Sequence, residues 1–132
     1  MNQENDNPTP YDLAGRVIGC AMKVHSTLGA GFLESVYQNA LAHELRKNGF
    51  HVETEVRLNV FYDAIVIGTF DADMIVDKTL IVENKAVSKL NPAHEVQLVN
   101  YLTATRIDEG LLLNFGGDSL EFKKKYRKHP HQ

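Results

Sequence analysis

The stretch Thr79–Val87, TLIVENKAV, decides the fold prediction because it is typical of a buried strand that carries charges in its middle. Successive side chains of a strand point to opposite faces, so Glu83 and Lys85 share one face with Ile81. Charged groups inside a buried strand are costly unless they are paired with each other or bound to a metal. The segment therefore predicts a central β-strand and a candidate functional site on one of its faces.

The preceding predicted strand, 65–76, brings a second acid to this face. A two-residue hairpin loop at 77–78 would put Asp73 and Glu83 on opposite sides of the sheet. A loop of odd length centred on Lys78 instead places Asp73 directly opposite Glu83. The odd loop pairs apolar with apolar and polar with polar residues on both faces, so we predict that register.

The same register predicts a metal site, because it also places Asp71 opposite Lys85 and gathers three carboxylates and one ammonium. Opposed carboxylates repel, and a divalent cation removes that repulsion. Magnesium binds one or two protein carboxylates and keeps other positions for water and phosphate. It lowers the pKa of bound water, while a nearby lysine orients that water and stabilises negative charge. The strand pattern leaves an alternative open, a structural ion pair of Lys85 with Asp71 or Asp73.

The spacing of apolar residues in the rest of the chain predicts helices on the faces of this sheet. Thr9 and Pro10 are typical of a helix start, Gly29 and Gly49 of helix ends, and Asn91-Pro92 of a third helix start. The predicted order is helices over 10–28 and 32–48, strands over 52–61, 65–76 and 79–87, a helix over 92–105, and strands over 110–115 and 119–126. This order indicates an α/β fold, a sheet covered by helices.

The second predicted helix carries acids within its apolar arc. At 100° per residue, Glu34 falls between Tyr37 and Leu45. Glu44 falls in the same arc, so the helical wheel alone does not single out Glu34. We expect Glu44 to reach water at the helix end. A solvated carboxylate is the alternative interpretation of Glu34.

Size and composition limit the class of protein. The chain has 132 residues, of which 43% are apolar, which fits one domain over 10–126 with a disordered tail at 1–9 and a basic tail at 127–132. The polar N-terminus has no apolar signal core and no segment is long enough to span a bilayer, so we predict a cytoplasmic protein. The single cysteine, Cys20, excludes an internal disulfide and is predicted to be a buried thiol. The histidines His25, His43 and His51 show no partner spacing and are predicted to lie at the surface.

Charge is distributed unevenly along the chain. The formal net charge is −3, and the segment 123–128 contributes +5, so the rest carries −3 − 5 = −8. An acidic body holds nucleic acid poorly without specific sites. The basic segment is interpreted either as a phosphate contact or as a solvated terminus.

Three motifs together resemble a known group of enzymes. Asp73 followed by Glu83-Asn84-Lys85 on the next strand resembles the PD-(D/E)XK nuclease superfamily. Gly31–Tyr37, GFLESVY, is similar to the signature of its small GxxExxY branch. Gln97–Tyr101, QLVNY, is similar to the Gln-x-x-x-Tyr element of exonuclease-like members. The likeness runs in order through residues 10–126, with Ala72 at the position of the proline that names the superfamily.

The resemblance implies a restriction-endonuclease-like αβββαβ core with a mixed central sheet flanked by helices. It implies that Asp73, Glu83 and the backbone carbonyl of Asn84 bind Mg²⁺ or Mn²⁺, and that Lys85 serves the attacking water. Glu34 would approach the metal or a bound water from its helix. The supporting or substrate-binding residues that it implies are Gln97, Tyr101 and Tyr37.

These expectations leave several functions open. The first is a metal-dependent nuclease that hydrolyses phosphodiester bonds of DNA or RNA through Asp73, Glu83 and Lys85. The second is an inactive nuclease fold that binds nucleic acid or a protein partner, and the third is an accessory protein whose charged face is an ion-pair network. A homodimer is compatible with all three, because one small domain offers little surface to a duplex.

Overall fold

Eight helices and strands follow the order that the hydrophobic periods predict. The computed structural model describes residues 12–128. The predicted start of the first helix at Thr9 and Pro10, the tail 1–9 and the end of the basic tail at 129–132 lie outside the described residues. The elements are α1 (Leu13–Leu28), α2 (Glu34–Lys47), β1 (Val52–Tyr62), β2 (Ile65–Val76), β3 (Leu80–Lys85), α3 (Pro92–Thr105), β4 (Glu109–Asn114) and β5 (Glu121–Tyr126).

The described strands form one sheet in the order β1-β2-β3-β4-β5. Strands β3 and β4 run parallel and the other neighbours run antiparallel, so the sheet is mixed. The apolar strand β4 is covered on both faces, as its sequence predicts. Helix α3 lies close against it at Gly110, where a Cβ atom would come within 3.0 Å of the Leu102 side chain. The predicted α/β class and mixed sheet are confirmed.

Two hydrophobic clusters lie on opposite faces of the sheet. Helices α1 and α2 pack against one face, in a cluster that includes Leu41, Met74 and Val82. Helix α3 packs against the other face, in a cluster that includes Leu98 and Ile81. The α3 helix begins as its sequence predicts, since the Asn91 side chain accepts a hydrogen bond of 2.8 Å from the backbone amide of Ala93, two residues later. No helix within residues 12–128 is long and apolar enough to cross a membrane.

The hairpin between β2 and β3 has the odd-length loop predicted from the sequence. Ile75 pairs with Ile81 and Val76 pairs with Leu80, which leaves the three residues 77–79 in the loop. A one-residue slip would move apolar side chains from each cluster to the wrong face, so burial on both faces fixes the register. The prediction that Asp73 and Glu83 lie near each other follows from this register.

The β1–β2 hairpin changes face at Asp73, which the sequence pattern does not predict. Met74 packs in the cluster under α1 and α2, whereas Ala72 and Phe70 pack in the cluster under α3. An unbroken strand would place all three on one face. The change coincides with Glu55, which lies on β1 between the paired residues Thr54 and Val56 and has the left-handed backbone value φ 53°.

This change of face removes Asp71 from the candidate site. The Asp71 carboxylate accepts a hydrogen bond of 2.8 Å from Arg57 on the neighbouring strand, and both side chains are largely exposed. The prediction that Asp71 lies opposite Lys85 and joins the charged patch was therefore wrong. The patch contains the Asp73 and Glu83 carboxylates without it.

The basic segment 123–128 is mostly part of the sheet rather than a solvated tail, because β5 extends to Tyr126. Three of its side chains form ion pairs with acids of other elements. These pairs are Lys124 with Asp12, Lys125 with Glu95, and Arg127 with Asp108. These three ion pairs therefore help to hold β5 against the rest of the fold, and much of the positive charge of segment 123–128 is used in them.

Candidate functional site

The candidate site occupies the gap where β2 and β3 separate beyond the pair of Met74 with Val82. In this gap each acidic side chain binds the backbone of the opposite strand. The Asn84 amide donates to Asp73 Oδ2 at 2.8 Å, and the Asp73 amide donates to Glu83 Oε2 at 3.2 Å. The hairpin thus holds both carboxylates without using a side-chain cation.

Burial and mutual repulsion make it costly for both acids to be ionised. Burial, together with the negative charge of Asp73, raises the pKa of Glu83 to about 8. Burial also raises the pKa of Asp73, while the Asn84 amide and the Lys85 ammonium oppose that shift. A half-buried acid pair of this kind is a group whose charge a bound cation would stabilise.

The donor atoms of this pair suit a magnesium-like cation. Both side chains offer carboxylate oxygens, which hard cations prefer, and magnesium sites commonly use one or two protein carboxylates. No group of three or more His, Cys, Asp or Glu side chains lies at metal-holding distance within the described residues. The arrangement therefore fits a cation held by two carboxylates, with other positions left to water and phosphate.

Lys85 ends β3 on the same side as Glu83, and its charge lowers the pKa of both Asp73 and Glu83. The alternative of a structural ion pair is not observed, since Asp71 binds Arg57 and no salt bridge joins Lys85 to Asp73 within residues 12–128. The ammonium lies near the acid pair without a direct ion pair to it.

Glu34 is the first residue of α2 and is exposed to solvent. Its negative charge is among those that raise the pKa of Asp73, so the helix brings this carboxylate toward the gap. Acids are favourable in the first turn of a helix, where backbone amides point outward. The Glu34 carboxylate is therefore exposed to solvent and lies near enough to Asp73 for its charge to raise the pKa of Asp73.

The comparisons with known proteins bear on this arrangement. Residues 11–128 match the family model of the PD-(D/E)XK nuclease superfamily. The chain belongs to this superfamily. No curated protein matches the chain. A solved structure titled "Crystal structure of SSO0001" is similar, with a TM-score of 0.58 and 20% sequence identity over 73% of this chain. The chain spans about half of that structure's chain, 51%, and the likeness is one of fold.

Among the residues of the PD-(D/E)XK motif, Asn84 has a double role in the geometry. Its backbone amide binds Asp73, while its side chain is buried and donates to Met74 Sδ at 3.4 Å. The Asn84 Oδ1 atom has no hydrogen-bond partner within the described residues. The side chain therefore belongs to the interior, and only the backbone of Asn84 faces the acid pair.

Tyr37 lies in the hydrophobic cluster under α1 and α2. It is fully buried and stacks on Phe115 with ring centroids 4.8 Å apart. Its hydroxyl donates to the Gly29 carbonyl and accepts from the Phe32 amide at 3.2 Å. These bonds hold the loop that leads into α2, which explains why the helix begins at Glu34 rather than at Phe32 as the periodicity predicts.

The substitution Tyr37→Phe should destabilise the protein by roughly 1–3 kcal/mol, because it removes the two hydrogen bonds of a buried hydroxyl to Gly29 and Phe32. Urea unfolding followed by circular dichroism measures the change. The matched control is Tyr126→Phe, which removes a hydroxyl from a side chain that is 58% exposed and should be nearly neutral. Equal stability of both variants would contradict the assigned role of Tyr37.

Gln97 and Tyr101 meet each other on α3. Gln97 Nε2 donates to the Tyr101 hydroxyl at 3.2 Å, and the Tyr101 ring stacks on Phe70 with centroids 3.7 Å apart. Phe70 lies on β2, three residues before Asp73. The structure therefore joins this pair of residues to the strand that carries Asp73, while their described hydrogen bonds do not reach the acids.

One acid near the site was missed by the sequence analysis. Glu55 lies on β1 between the partners of Met74 and Ala72, level with Asp73, and its negative charge raises the pKa of both Asp73 and Glu83. Its Oε2 atom accepts a hydrogen bond of 2.8 Å from Gln38 of α2. No local sequence pattern marks this residue, because the register shift at Val60/Phe61 is what brings Glu55 level with Asp73.

Two polar residues predicted to reach solvent are instead buried. Glu44 is 9% exposed and pairs with Lys23 at 3.1 Å and with Lys47 at 3.4 Å. His25 is 8% exposed, and its Nε2 atom is 2.9 Å from the Gly117 carbonyl. Both predictions were wrong, and neither residue belongs to the site. Cys20 is partly buried, which raises the pKa of its thiol.

Proposed function

We propose that this protein is a metal-dependent nuclease of the GxxExxY branch that hydrolyses phosphodiester bonds of DNA or RNA. The observation that carries the proposal is the Asp73 and Glu83 pair in the gap between β2 and β3. Burial, with the negative charge of Asp73, raises the pKa of Glu83 to about 8 there. A divalent cation would offset that cost, and superfamily membership supports nucleic acid as the substrate.

Each residue of the candidate site would have a role that follows from the chemistry of its side chain or backbone. Asp73 and Glu83, with the backbone carbonyl of Asn84, would hold Mg²⁺ or Mn²⁺. The metal would lower the pKa of a bound water and neutralise phosphate charge. The Lys85 ammonium would orient the attacking water and stabilise the negative charge that develops on the phosphate. Glu34 would accept a hydrogen bond from a water at the mouth of the gap.

The structure offers a physical reason for the three residues of the GxxExxY motif, Gly31, Glu34 and Tyr37, in the proposed mechanism. Gly31 has a φ of 113°, a backbone conformation that favours glycine, in the loop before α2. Tyr37 fixes that loop through its hydroxyl, and Glu34 begins the helix between them. The glycine and tyrosine would therefore place the glutamate, and only the glutamate would take part in the reaction.

Removing divalent metal tests the proposal directly. The purified protein should cleave at least one of single- and double-stranded DNA and RNA with Mg²⁺ or Mn²⁺, and a chelator should abolish cleavage because the acid pair then lacks its cation. Adding back the metal should restore the rate. A protein that cleaves none of these substrates with either metal, or cleaves them equally with the chelator, would refute the nuclease proposal.

A second candidate function is a module that binds nucleic acid or a protein partner without turnover. The observation that favours it is that no group of three or more His, Cys, Asp or Glu side chains is arranged to hold a metal ion within residues 12–128. Binding that is unchanged by chelator and by Glu83→Ala, without cleavage, would support this function. Loss of binding in both conditions would exclude it.

A further inference from the structure

The β1–β2 hairpin extends well beyond the rest of the sheet. Strand β2 pairs with β3 only from Met74 to Val76, so its first part lies beyond the reach of β3. We call Tyr62–Thr69 the outer arm. Within the part of the chain that the structure describes, no strand pairs with the far edge of β2 along Ile65–Thr69.

The outer arm exposes apolar side chains that water disfavours. Ile65 is 63% exposed, Val66 48%, Ile67 62% and Tyr62 68%. A long open strand edge with exposed β-branched residues is a template for pairing with another strand. Contiguous exposed apolar surface of this kind marks interaction sites in folded proteins.

Of the two strands of the hairpin, β2 offers the open surface. Phe61 on β1, just before the outer arm, is partly buried, and the Arg106 guanidinium lies over its ring at 5.2 Å from the centroid. Residues Ile65–Thr69 of β2, in contrast, are exposed at every position. A partner strand would therefore meet the β2 edge.

The lack of charged side chains along the β2 part of the outer arm favours a second copy of this chain as its binding partner. Residues Ile65–Phe70, IVIGTF, contain no charged side chain, so two identical edges meet without like-charge repulsion. The opposite edge strand β5, EFKKKY, carries three lysines and would bring like charges together. Nucleic acid is a poor occupant, because Tyr62–Thr69 contains Asp63 and no lysine or arginine to neutralise phosphate.

We infer that the outer arm is a homodimer interface in which β2 of one copy pairs antiparallel with β2 of a second copy along Ile65–Thr69. Such a contact uses the same surface on both partners and closes at two copies. Pairing centred on Ile67 puts Asp73 six residues from the axis, roughly 20 Å along the strand. The acids themselves lie outside the paired segment, which ends at Thr69.

Sedimentation velocity of the full-length protein without nucleic acid tests the inference independently of any cleavage. The wild type should be a dimer, and Ile67→Lys should halve the apparent mass because it sets two ammonium groups against each other. The matched control Val96→Lys changes an α3 residue that is 59% exposed and should leave the dimer intact. A monomeric wild type at every concentration, or a dimeric Ile67→Lys, would overturn the inference.

Hydrogen exchange of the wild type covers the case in which Ile67→Lys fails to fold. Amides of Ile65–Thr69 that point away from β1 should be protected in concentrated protein and lose that protection on dilution, since dilution dissociates the dimer. Protection that does not change with concentration would mean that this chain's own residues cover the edge. That result would also overturn the inference.

Discussion

Replacing Asp73 by asparagine should reduce kcat/KM for metal-dependent cleavage by at least about 100-fold, the size expected when one charge-stabilising group is lost from an active site. The asparagine side-chain oxygen still accepts the Asn84 amide that now bonds Asp73 at 2.8 Å, so the hairpin should keep its geometry. What is lost is one of the two negative charges that would hold the cation. Steady-state cleavage with saturating Mg²⁺ measures the effect.

Asp71→Asn provides a matched control for this result. The same chemical change is made two residues away on the same strand, where the carboxylate binds Arg57 at the surface. An exposed ion pair contributes about 0–1 kcal/mol, so the control should keep both its stability and its activity. Equal loss in the two variants, or no loss in Asp73→Asn, would place the chemistry outside the gap between β2 and β3.

The free energy of unfolding of the metal-free protein should fall as the pH rises from about 4.5 to about 8. The pKa of Glu83 is raised from its ordinary value of 4.5 to about 8 in the folded protein. The folded state therefore binds more protons than the unfolded state in this window, and stability decreases as those protons are released. The upward pKa shift of Asp73 acts in the same direction. The loss should be on the order of a few kcal/mol.

The substitution Glu83→Gln isolates this effect, because glutamine does not titrate. Urea unfolding across the pH window should give a flatter profile for the variant than for the wild type. Mg²⁺ should restore the stability of the wild type at pH 8, since a ligand that binds only the folded state stabilises it, and should do little for the variant. Parallel profiles for the two proteins, or equal stabilisation by Mg²⁺, would contradict the assignment of Glu83.

The sequence was sufficient where burial constrains both faces of an element. The odd-length loop after Val76 could be predicted because Ile75 and Ile81 belong to one cluster and their neighbours to the other. The proximity of Asp73 and Glu83 then followed from strand periodicity. The superfamily was predicted from Glu83-Asn84-Lys85 and the GxxExxY motif, and the family comparison confirms it.

The sequence was insufficient where a single backbone conformation or a distant partner decides the outcome. The left-handed backbone of Glu55 changes the face of the hairpin, and no local pattern marks it, so Asp71 was wrongly included and Glu55 was missed. Glu44 is buried by Lys23, which lies on the other helix of the pair. His25 is buried against a carbonyl 92 residues away in the chain.

The change of face at Asp73 has a consequence for how the protein tolerates variation. The outer half of the hairpin packs only with α3, whereas the inner half also packs with α1 and α2 through Met74 and Val76, so Asp73 lies where the second packed layer begins. A substitution that leaves a cavity in either layer would shift one half of β2 relative to the other half. Inactivating substitutions should therefore occur at core positions of both layers, such as Leu41 and Leu98, as well as among the carboxylates themselves.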